Sequence, residues 1–454
     1  MSLYEDLKQF RQKDRIGFHI PGHKGGAGLN PAWVQDAFSL DVTEFPETDD
    51  LQCPTGILQR AQTRAAKVLG AERSFFLTNG SSIGLQAAIL AVCKPGEKLL
   101  TDRTCHKAVA SALVLSGSVP VFLSPEFDGE RGVYAGITPE KVKKILEEEP
   151  DIKGMVLTSP TYYGICSPIR EIAGILHEKG RFLIVDEAHG AHFAFHPGLP
   201  EPALSQGADA VIQSAHKTLP ALGQSSLLHL RRDSLIPEEM VESALRLLMT
   251  TSPSYLLMSA MDEAVASMEQ EGQALISILL REIGNLKKTV REQGILDFVD
   301  EETLPCPQDG MRLVVDFRNS RFSGFAAAEL LKEAYGIYPE MADSCHVVLI
   351  VTTANTVEEL QILGQALLEL ATPGGGEEPM PALSMPKMAM PPREAWMSRK
   401  EKVSPLDALG RIAGDTLAVC PPGAALLLPG QYIDEETLAY LTRVGMPEEM
   451  IVLS

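Results

Sequence analysis

The stretch 181–192, RFLIVDEAHGAH, decides how this chain folds. Four apolar residues, Phe182 to Val185, run without a break into Asp186, Glu187, His189 and His192. A short apolar run with an abrupt polar end reads as a strand buried on both faces of a sheet. Residues just past the end of such a strand face the crevice beyond the carboxyl edge of the sheet, where open α/β sheets bind ligands. Three readings of the acid–imidazole cluster compete: the Asp-Glu-Ala-His box of a nucleic-acid helicase, a metal site, and the floor of a cofactor pocket.

Composition narrows the choice. Acidic residues outnumber basic ones 60 to 40, giving a net charge of −20, and the lysines and arginines are scattered. Such a chain repels phosphate backbones, so no nucleic-acid partner is expected. An apolar share of 45% and a charged share of 22% over 454 residues are those of a soluble globular protein with two or three domains. The start, MSLYEDLKQFRQK, lacks the apolar core of a signal peptide. No run of about 18 apolar residues offers a membrane span. Seven cysteines without a Cys-x-x-Cys pair fit reduced thiols and a cytoplasmic location.

Working outward, short apolar runs recur at 74–78, 98–101, 119–123, 154–158 and 210–213, with helical stretches at 82–92, 106–115, 139–148 and 169–179 between them. Thr138-Pro139 is a helix start, with a capping hydroxyl and a first-turn proline. Alternation of this kind predicts an α/β domain with a mostly parallel sheet covered on both faces. Helices are expected at 260–270 and 274–292. Strands at 311–317 and 347–352, with helices at 324–334 and 357–370, form a smaller α/β unit. The division expected is an N-terminal segment 1–56, a large domain 57–300, a small domain 301–371, a Pro/Gly/Met-rich linker 372–392 and a short C-terminal module 393–454.

Four strand ends carry chemistry. Asn79-Gly80-Ser81-Ser82 leads from a strand into a helix, where hydroxyls and free N–H groups hold a phosphate. Lys217 comes shortly after the run 210–213, and burial there makes its amine nucleophilic; Ser214 and His216 beside it reach a second face of a phosphate. Asp186 needs a cationic partner, and a pyridinium N–H is one. Ala188 leaves room for a flat ring, His189 and His192 lie near the crevice mouth, and His106, opening a helix, stacks on an aromatic ring. Asp186 and Lys217 stand one strand–helix–strand excursion apart, which suits neighbouring strands. Together these parts suit pyridoxal 5'-phosphate. A helicase needs a Gly-x-x-x-x-Gly-Lys-Ser/Thr loop, and Gly22-His-Lys-Gly-Gly26 is too short. A metal site lacks a second cluster to complete its ligands, and no metal is expected.

Motifs along nearly the whole chain then resemble one family. HIPGHKGG (19–26), DVTEFPETDDLQCPTG (41–56), TNGSSIG, DRTCHKAV, SPTYYGI (159–165), VDEAHGAHFAFHPGLP (185–200), GADAVIQSAHKTLPALGQSSLLH (207–229), TTSPSYLLMSAMD (250–262) and the tail DALGRIAGD…CPPGAALLLPGQYI resemble the Orn/Lys/Arg decarboxylases, in their short Gram-positive form. The resemblance implies a three-layer, aminotransferase-like (fold type I) large domain and decarboxylation of a basic amino acid. It implies that Lys217 forms the Schiff base, Asp186 bonds the ring nitrogen and His106 stacks on the ring. Gly80, Ser81, Ser82, Ser214 and His216 would hold the phosphate. Thr250, Thr251 or Ser252 would reach the partner subunit's phosphate, in a homodimer or larger homo-oligomer with interface sites. His216 or Lys217 would return the proton to Cα. The acidic run 44–50, with Glu44, Glu47, Asp49 and Asp50, is a candidate for the substrate's cationic tail. The family pattern has Thr where Ala215 stands, Tyr where Cys420 stands and Glu where Gln431 stands. An aminotransferase or lyase on the same fold, using Arg312 or Arg318 for a substrate carboxylate, and a non-catalytic regulator are the alternatives.

Overall fold

The computed structural model describes residues 2–11, 15–304, 306–419 and 424–454. The large domain is built on seven strands: β1 (Arg73–Leu77), β2 (Lys98–Asp102), β3 (Val119–Leu123), β4 (Gly154–Thr158), β5 (Phe182–Asp186), β6 (Ala210–Gln213) and β7 (Ser226–Leu230). They lie in the order β1-β7-β6-β5-β4-β2-β3. β7 runs antiparallel to both its neighbours, and the remaining pairs are parallel. The unbroken apolar runs are explained by what covers them. Val156, Ile184 and Ile212 point to one face, under α1 (Ser81–Val92) and α2 (Lys107–Ser116). Met155, Leu157, Leu183, Val185 and Val211 point to the other, under helices Pro139–Glu148 and Ile169–Glu178. Period-two alternation between two apolar faces is what a buried parallel strand requires. Thr138 takes the N-cap position of Pro139–Glu148, but its hydroxyl makes no capping bond.

Register sets the site. Thr158 lies opposite Asp186, and Asp186 opposite Ile212, so these strands end level. β5 and β6 are neighbours as expected, but no α-helix joins them. Residues 187–209 cross as a loop with one 3-10 turn, Phe193–Phe195. Pro197, Pro200 and Pro202, with Gly190, Gly198 and Gly207, deny a helix the unbroken run it needs. The helices expected at 260–270 and 274–292 are one 37-residue helix, α3 (Tyr255–Arg291), capped by the Ser254 hydroxyl. Gly272 does not interrupt it, because Met268 and Phe195 pack where its side chain would be.

The small domain is a four-stranded antiparallel sheet in the order β8 (Asp297–Phe298), β9 (Arg312–Asp316), β11 (His346–Ile350), β10 (Met341–Ala342). Helices α4 (Gly324–Tyr335) and α5 (Val357–Leu370) cover it, the second opened by a Thr356/Glu359 capping box. Ile276, Leu279, Ile283 and Leu286 of α3 share one core with Leu313, Val315, Leu349 and Leu363. The N-terminal segment is divided between partners. Ile16–Phe18 pairs in parallel with Ile337–Pro339 of the small domain. Gly22 donates its N–H to the His216 carbonyl at 2.7 Å. A side chain at Gly22 would meet the Leu219 carbonyl oxygen, so only glycine allows that approach.

Residues 372–391 contain no helix and only isolated bridges, and they are docked along their length up to the helix Pro392–Met397. Glu377 and Glu378 carbonyls accept from Cys345 and Ser344, and Leu383 N–H donates to the Tyr134 hydroxyl at 2.5 Å. The C-terminal module has its own small core, with Leu426, Leu427, Ile433, Leu441 and Val452. It pairs Lys400–Val403 with Met450–Leu453, and Leu417–Val419 with Ala424–Leu427, beside helix α6 (Glu435–Val444). Arg103, just past β2 and fully buried, fastens it to the large domain. Its guanidinium donates to the carbonyls of Ser384 (2.8 Å), Ala425 (2.6 Å) and Leu426 (2.8 Å). No helix among the described residues is long and apolar enough to cross a membrane.

Arg103→Met strips the donors from three buried carbonyls, and an unsatisfied buried polar group costs about 1–3 kcal/mol. The variant should lose at least about 3 kcal/mol of stability in denaturant titration. Limited proteolysis within 372–392 should then release the C-terminal fragment; an unchanged digestion pattern contradicts the fastening role.

Candidate active site

The level strand ends open into a cavity of about 530 Å³. Gly80, Ser81 and Ser82 line it at the start of α1, with Gly80 at φ 79°, a backbone that favours glycine. Ser214, fully buried, does not line the cavity; its hydroxyl donates to Ser81 Oγ at 2.9 Å and orients that group. His106 is the N-cap of α2, and its Nδ1 accepts from the Ala108 N–H at 3.1 Å, which fixes the ring plane. Burial pushes its pKa down, against the pull of Asp186. Asp102, buried at the end of β2, accepts from the N–H and hydroxyl of Thr104 and sets the turn that carries His106.

Asp186 ends β5 at 4% exposure. The hydrogen bond its carboxylate makes among the described residues comes from the Ala188 N–H, at 3.2 Å. Ala188 lines the cavity beside it. Lys217 sits in the single helical turn Ala215–Thr218 after β6, and its Nζ lies 3.0 Å from His189 Nε2. Burial lowers the Lys217 pKa, with Asp186 and Glu340 pulling the other way. His216 lines the cavity and donates from Nδ1 to the Ser225 carbonyl at 2.8 Å, leaving Nε2 as an acceptor when the ring is neutral. Burial lowers its pKa too.

His189 lines the cavity beside Lys217, whereas Glu187 and His192 of the opening motif turn elsewhere. Glu187 faces away from the cavity, where burial raises its pKa to about 7. It accepts from the Ala203 N–H at 2.8 Å and from Gln213 Nε2 at 2.7 Å. Gln213 Oε1 in turn meets His229 Nε2, and His229 Nδ1 meets the Ser74 hydroxyl, so one polar line crosses β6, β7 and β1. His192 pairs with Asp309 at 3.0 Å, both buried. Asp186 and Glu187 thus point to opposite sides and each imidazole has another partner. No cluster of metal-ligating side chains occurs among the described residues.

Several expected residues lie outside the cavity. Asp49 is a correction: its carboxylate caps the helix Ile57–Leu69, accepting from the N–H groups of Thr55, Gly56 and Leu58 at 2.7–3.0 Å. A carboxylate so filled has no capacity left for a substrate. Glu44 and Asp50 do not line the cavity either; they share a surface segment with the exposed Phe38 and Phe45. Thr250 and Thr251 stand beside rather than in it, the Thr250 N–H donating to Asn79 Oδ1 at 3.3 Å. Gln431 is fully buried away from the cavity and bridges Leu428 N–H to the Pro386 carbonyl, a pairing that uses both ends of an amide. Cys420 lies outside the described residues.

The sequence reading weighed Arg312 and Arg318 for a substrate carboxylate but did not single out Tyr162, Tyr163, Glu340 or Asp343. Tyr162, whose ring lines the cavity, donates its hydroxyl to Glu340, and Tyr163 donates to Asp343 at 2.6 Å. Asp343 is filled by Tyr163, His346 and two backbone N–H groups. Arg312 is fully buried, donating to the Tyr162 carbonyl at 3.1 Å and to His189 Nδ1 at 3.0 Å. Arg318 is held by Asp316 and the Glu130 carbonyl.

Fold and site together define an α/β chain of the fold type I class. A solved alanine–glyoxylate aminotransferase from Nostoc superposes with a TM-score of 0.60 at 16% identity, covering 82% of this chain and 100% of its own. The constitutive lysine decarboxylase of Escherichia coli superposes with a TM-score of 0.78 at 21% identity, over 99% of this chain and 81% of its own. Residues 1–304 match the model of the Orn/Lys/Arg decarboxylase major domain. The arginine decarboxylase of Bacillus subtilis is 34% identical over 98% of this chain and 94% of its own length. That of Halalkalibacterium halodurans is 36% identical over the same shares. The chain belongs to the Orn/Lys/Arg decarboxylase family.

Asp49→Ala should cost about 1–2 kcal/mol, the range of a lost helix cap, and leave the KM for substrate unchanged. Burial alone would raise the Asp49 pKa, but the N–H bonds from Thr55, Asp50 and Gly56 together hold it below its ordinary value. The cap's contribution is therefore present above about pH 4 and lost as pH falls through the lower folded-state pKa. Denaturation of both proteins across that range should show their stabilities converging in acid.

Proposed function

We propose that this protein is a pyridoxal 5'-phosphate-dependent decarboxylase of a basic amino acid, with arginine as the first substrate to test. The observation that carries the reading is the charge inventory of the cavity. Lys217 is the only lysine or arginine side chain lining it among the described residues. An aminotransferase keeps its substrate's carboxylate and needs a cation to hold it. Arg312 and Arg318, the two candidates, are committed to His189, Tyr162, Asp316 and Glu130. A substrate carboxylate that no arginine or other lysine in the cavity holds is left to depart as neutral CO2. Arginine is put first because relatives named arginine decarboxylase match nearly the full chain at 34% and 36% identity.

The residues fit the cofactor. Asp186 is a buried carboxylate with one hydrogen bond among the described residues, and a ring N–H⁺ would complete it. Gly80, Ser81 and Ser82 offer the start of α1 to a phosphate, with His216 on its other side. His106 and Ala188 would bracket the ring. Bound there, pyridoxal phosphate supplies the electron sink for the pair released from the Cα–carboxylate bond. Asp186 keeps the ring nitrogen protonated. Lys217 anchors the cofactor and exchanges with the substrate amine. Neutral His216 has no proton at Nε2 to give, so Lys217, having taken one from the incoming ammonium, returns it to Cα. Its lowered pKa makes that ammonium the better acid.

The cationic tail of the substrate needs an anion. Glu340 does not line the cavity itself, but it stands behind Tyr162, acts on Lys217, and retains accepting capacity beside Tyr162 and the Ile20 N–H. Glu44 and Asp50 remain candidates from a partner subunit. Phe38 is 92% exposed and Phe45 and Val42 lie bare beside it, which supports a homodimer that covers this segment and brings Thr250 and Thr251 toward the partner's cofactor. Free cysteines suit a cytoplasmic protein.

Purified protein should be yellow and should release CO2 and the matching amine from arginine in preference to lysine or ornithine. Lys217→Ala should be colourless and inactive, and Asp186→Ala should lose about 10²–10³-fold in kcat. Glu340→Gln should raise KM about tenfold with a smaller effect on kcat, the loss of one charge-assisted contact. Yellow protein that yields a 2-oxo acid would refute the decarboxylase reading.

A further inference from the structure

We infer that Arg312 is a positioning residue for Lys217, acting through His189, whose tautomer it fixes so that Nε2–H donates to the lysine amine. The inference rests on the reading of Lys217 as the cofactor-binding amine and adds how that amine is kept ready.

The geometry leaves one arrangement of protons. A guanidinium carries donors and no acceptor. Arg312 Nη2 is 3.0 Å from His189 Nδ1, so Nδ1 must present its lone pair. A neutral imidazole then holds its hydrogen on Nε2, which is 3.0 Å from Lys217 Nζ. An ammonium at that position would face one donor with another. A neutral amine, with its lone pair toward Nε2–H, satisfies both. The opposite tautomer would set Nδ1–H against the guanidinium at the same distance.

Independent features hold the line in place. The His189 ring stands edge-on to Tyr162, centroids 5.0 Å apart, and Arg312 also donates to the Tyr162 carbonyl, so one residue braces both. Arg312 is fully buried, forms no salt bridge among the described residues, and leaves its Nε without a partner. Burying a guanidinium this way costs stability. Lysine in its place has no planar fork to serve the ring and the carbonyl together. The charges facing the pair come from every surrounding element: Asp186 and Glu340 raise the Lys217 pKa, while Arg312 and, foremost, burial lower it. For His189, burial leads, followed by Lys217, Arg312, His106 and His216, all lowering. These influences act in the direction of the neutral forms that the proton arrangement calls for.

The test measures Lys217 itself rather than turnover. Full-length protein, cleared of cofactor, is trace-labelled with acetic anhydride across a pH series, and acetylation at Lys217 is quantified by mass spectrometry. In cofactor-loaded protein the pH midpoint of the visible absorption band is titrated in parallel. His189→Phe and Arg312→Gln should raise the Lys217 midpoint by about one pH unit, a tenfold loss of free amine near neutrality. Arg312→Lys, which keeps the charge but not the fork, should shift it in the same direction. His189→Gln, which retains an N–H donor, should stay within about 0.3 units. A wild-type midpoint in His189→Phe overturns the inference, as does a full shift in His189→Gln. The His189 pair decides alone if the buried Arg312 variants do not fold. Borohydride trapping of pyridoxal phosphate on wild-type Lys217 separates the two claims: without trapping the cofactor reading fails, whereas trapping with unmoved midpoints removes only the relay.

Discussion

A carboxylate at the end of a fully buried strand must be answered by positive charge, and the large domain is arranged around that demand. β5 delivers Asp186 into a space closed by apolar residues on both faces of the sheet. It lines the cavity there, and the donor it meets among the described residues is the Ala188 N–H, at 3.2 Å. Level registration with β4 and β6 sets Thr158 and the Lys217 turn at the same height. The short return from β6 into antiparallel β7 keeps that turn tight against the sheet. In the proposed function a protonated ring nitrogen would complete what the fold leaves open.

The two imidazoles of RFLIVDEAHGAH perform a different task. His189 and His192 each reach the small domain, the first through Arg312 and the second through Asp309. These two contacts flank the start of β9. The motif therefore carries an acid for the crevice, an acid for the far side of the sheet, and two rings at the seam between domains. Such buried polar contacts have strict geometry, because each donor must find its acceptor or lose its solvation without return.

How far the sequence could reveal this depends on where partners sit. Asp186, Lys217, His106 and Gly80–Ser82 stand at strand ends marked by apolar runs, so local pattern located them and the topology brought them together. Asp49 looked like one charge in an acidic run, because the N–H groups it caps become visible only when helix Ile57–Leu69 forms. Arg312, Glu340 and Arg103 have partners between 123 and 323 residues away, and no periodicity reports such contacts. The missing helix between β5 and β6 was foreshadowed by its prolines, but strand–helix–strand alternation elsewhere overrode that local signal. The Pro- and Gly-rich stretch 372–392 has the composition of a free spacer; its docking depends on carbonyls, which every sequence possesses.

The cavity has walls from the large domain, from the small domain that shares a core with it through α3, and from the C-terminal module with the strap before it. Tyr440 and Leu426 of the module, and Met341 of the small domain, line the same space as Lys217 and His106. Whatever fills it touches all three and acts as mortar between them. Binding to the assembled state alone adds RT ln(1 + [L]/Kd), about 2.7 kcal/mol at a ligand concentration one hundredfold above Kd. That quantity is comparable to the cost of a broken seam contact. With the proposed cofactor as that ligand, its cellular supply would govern how long the assembled chain survives, and a starved cell would hold fewer intact copies rather than the same number of idle ones.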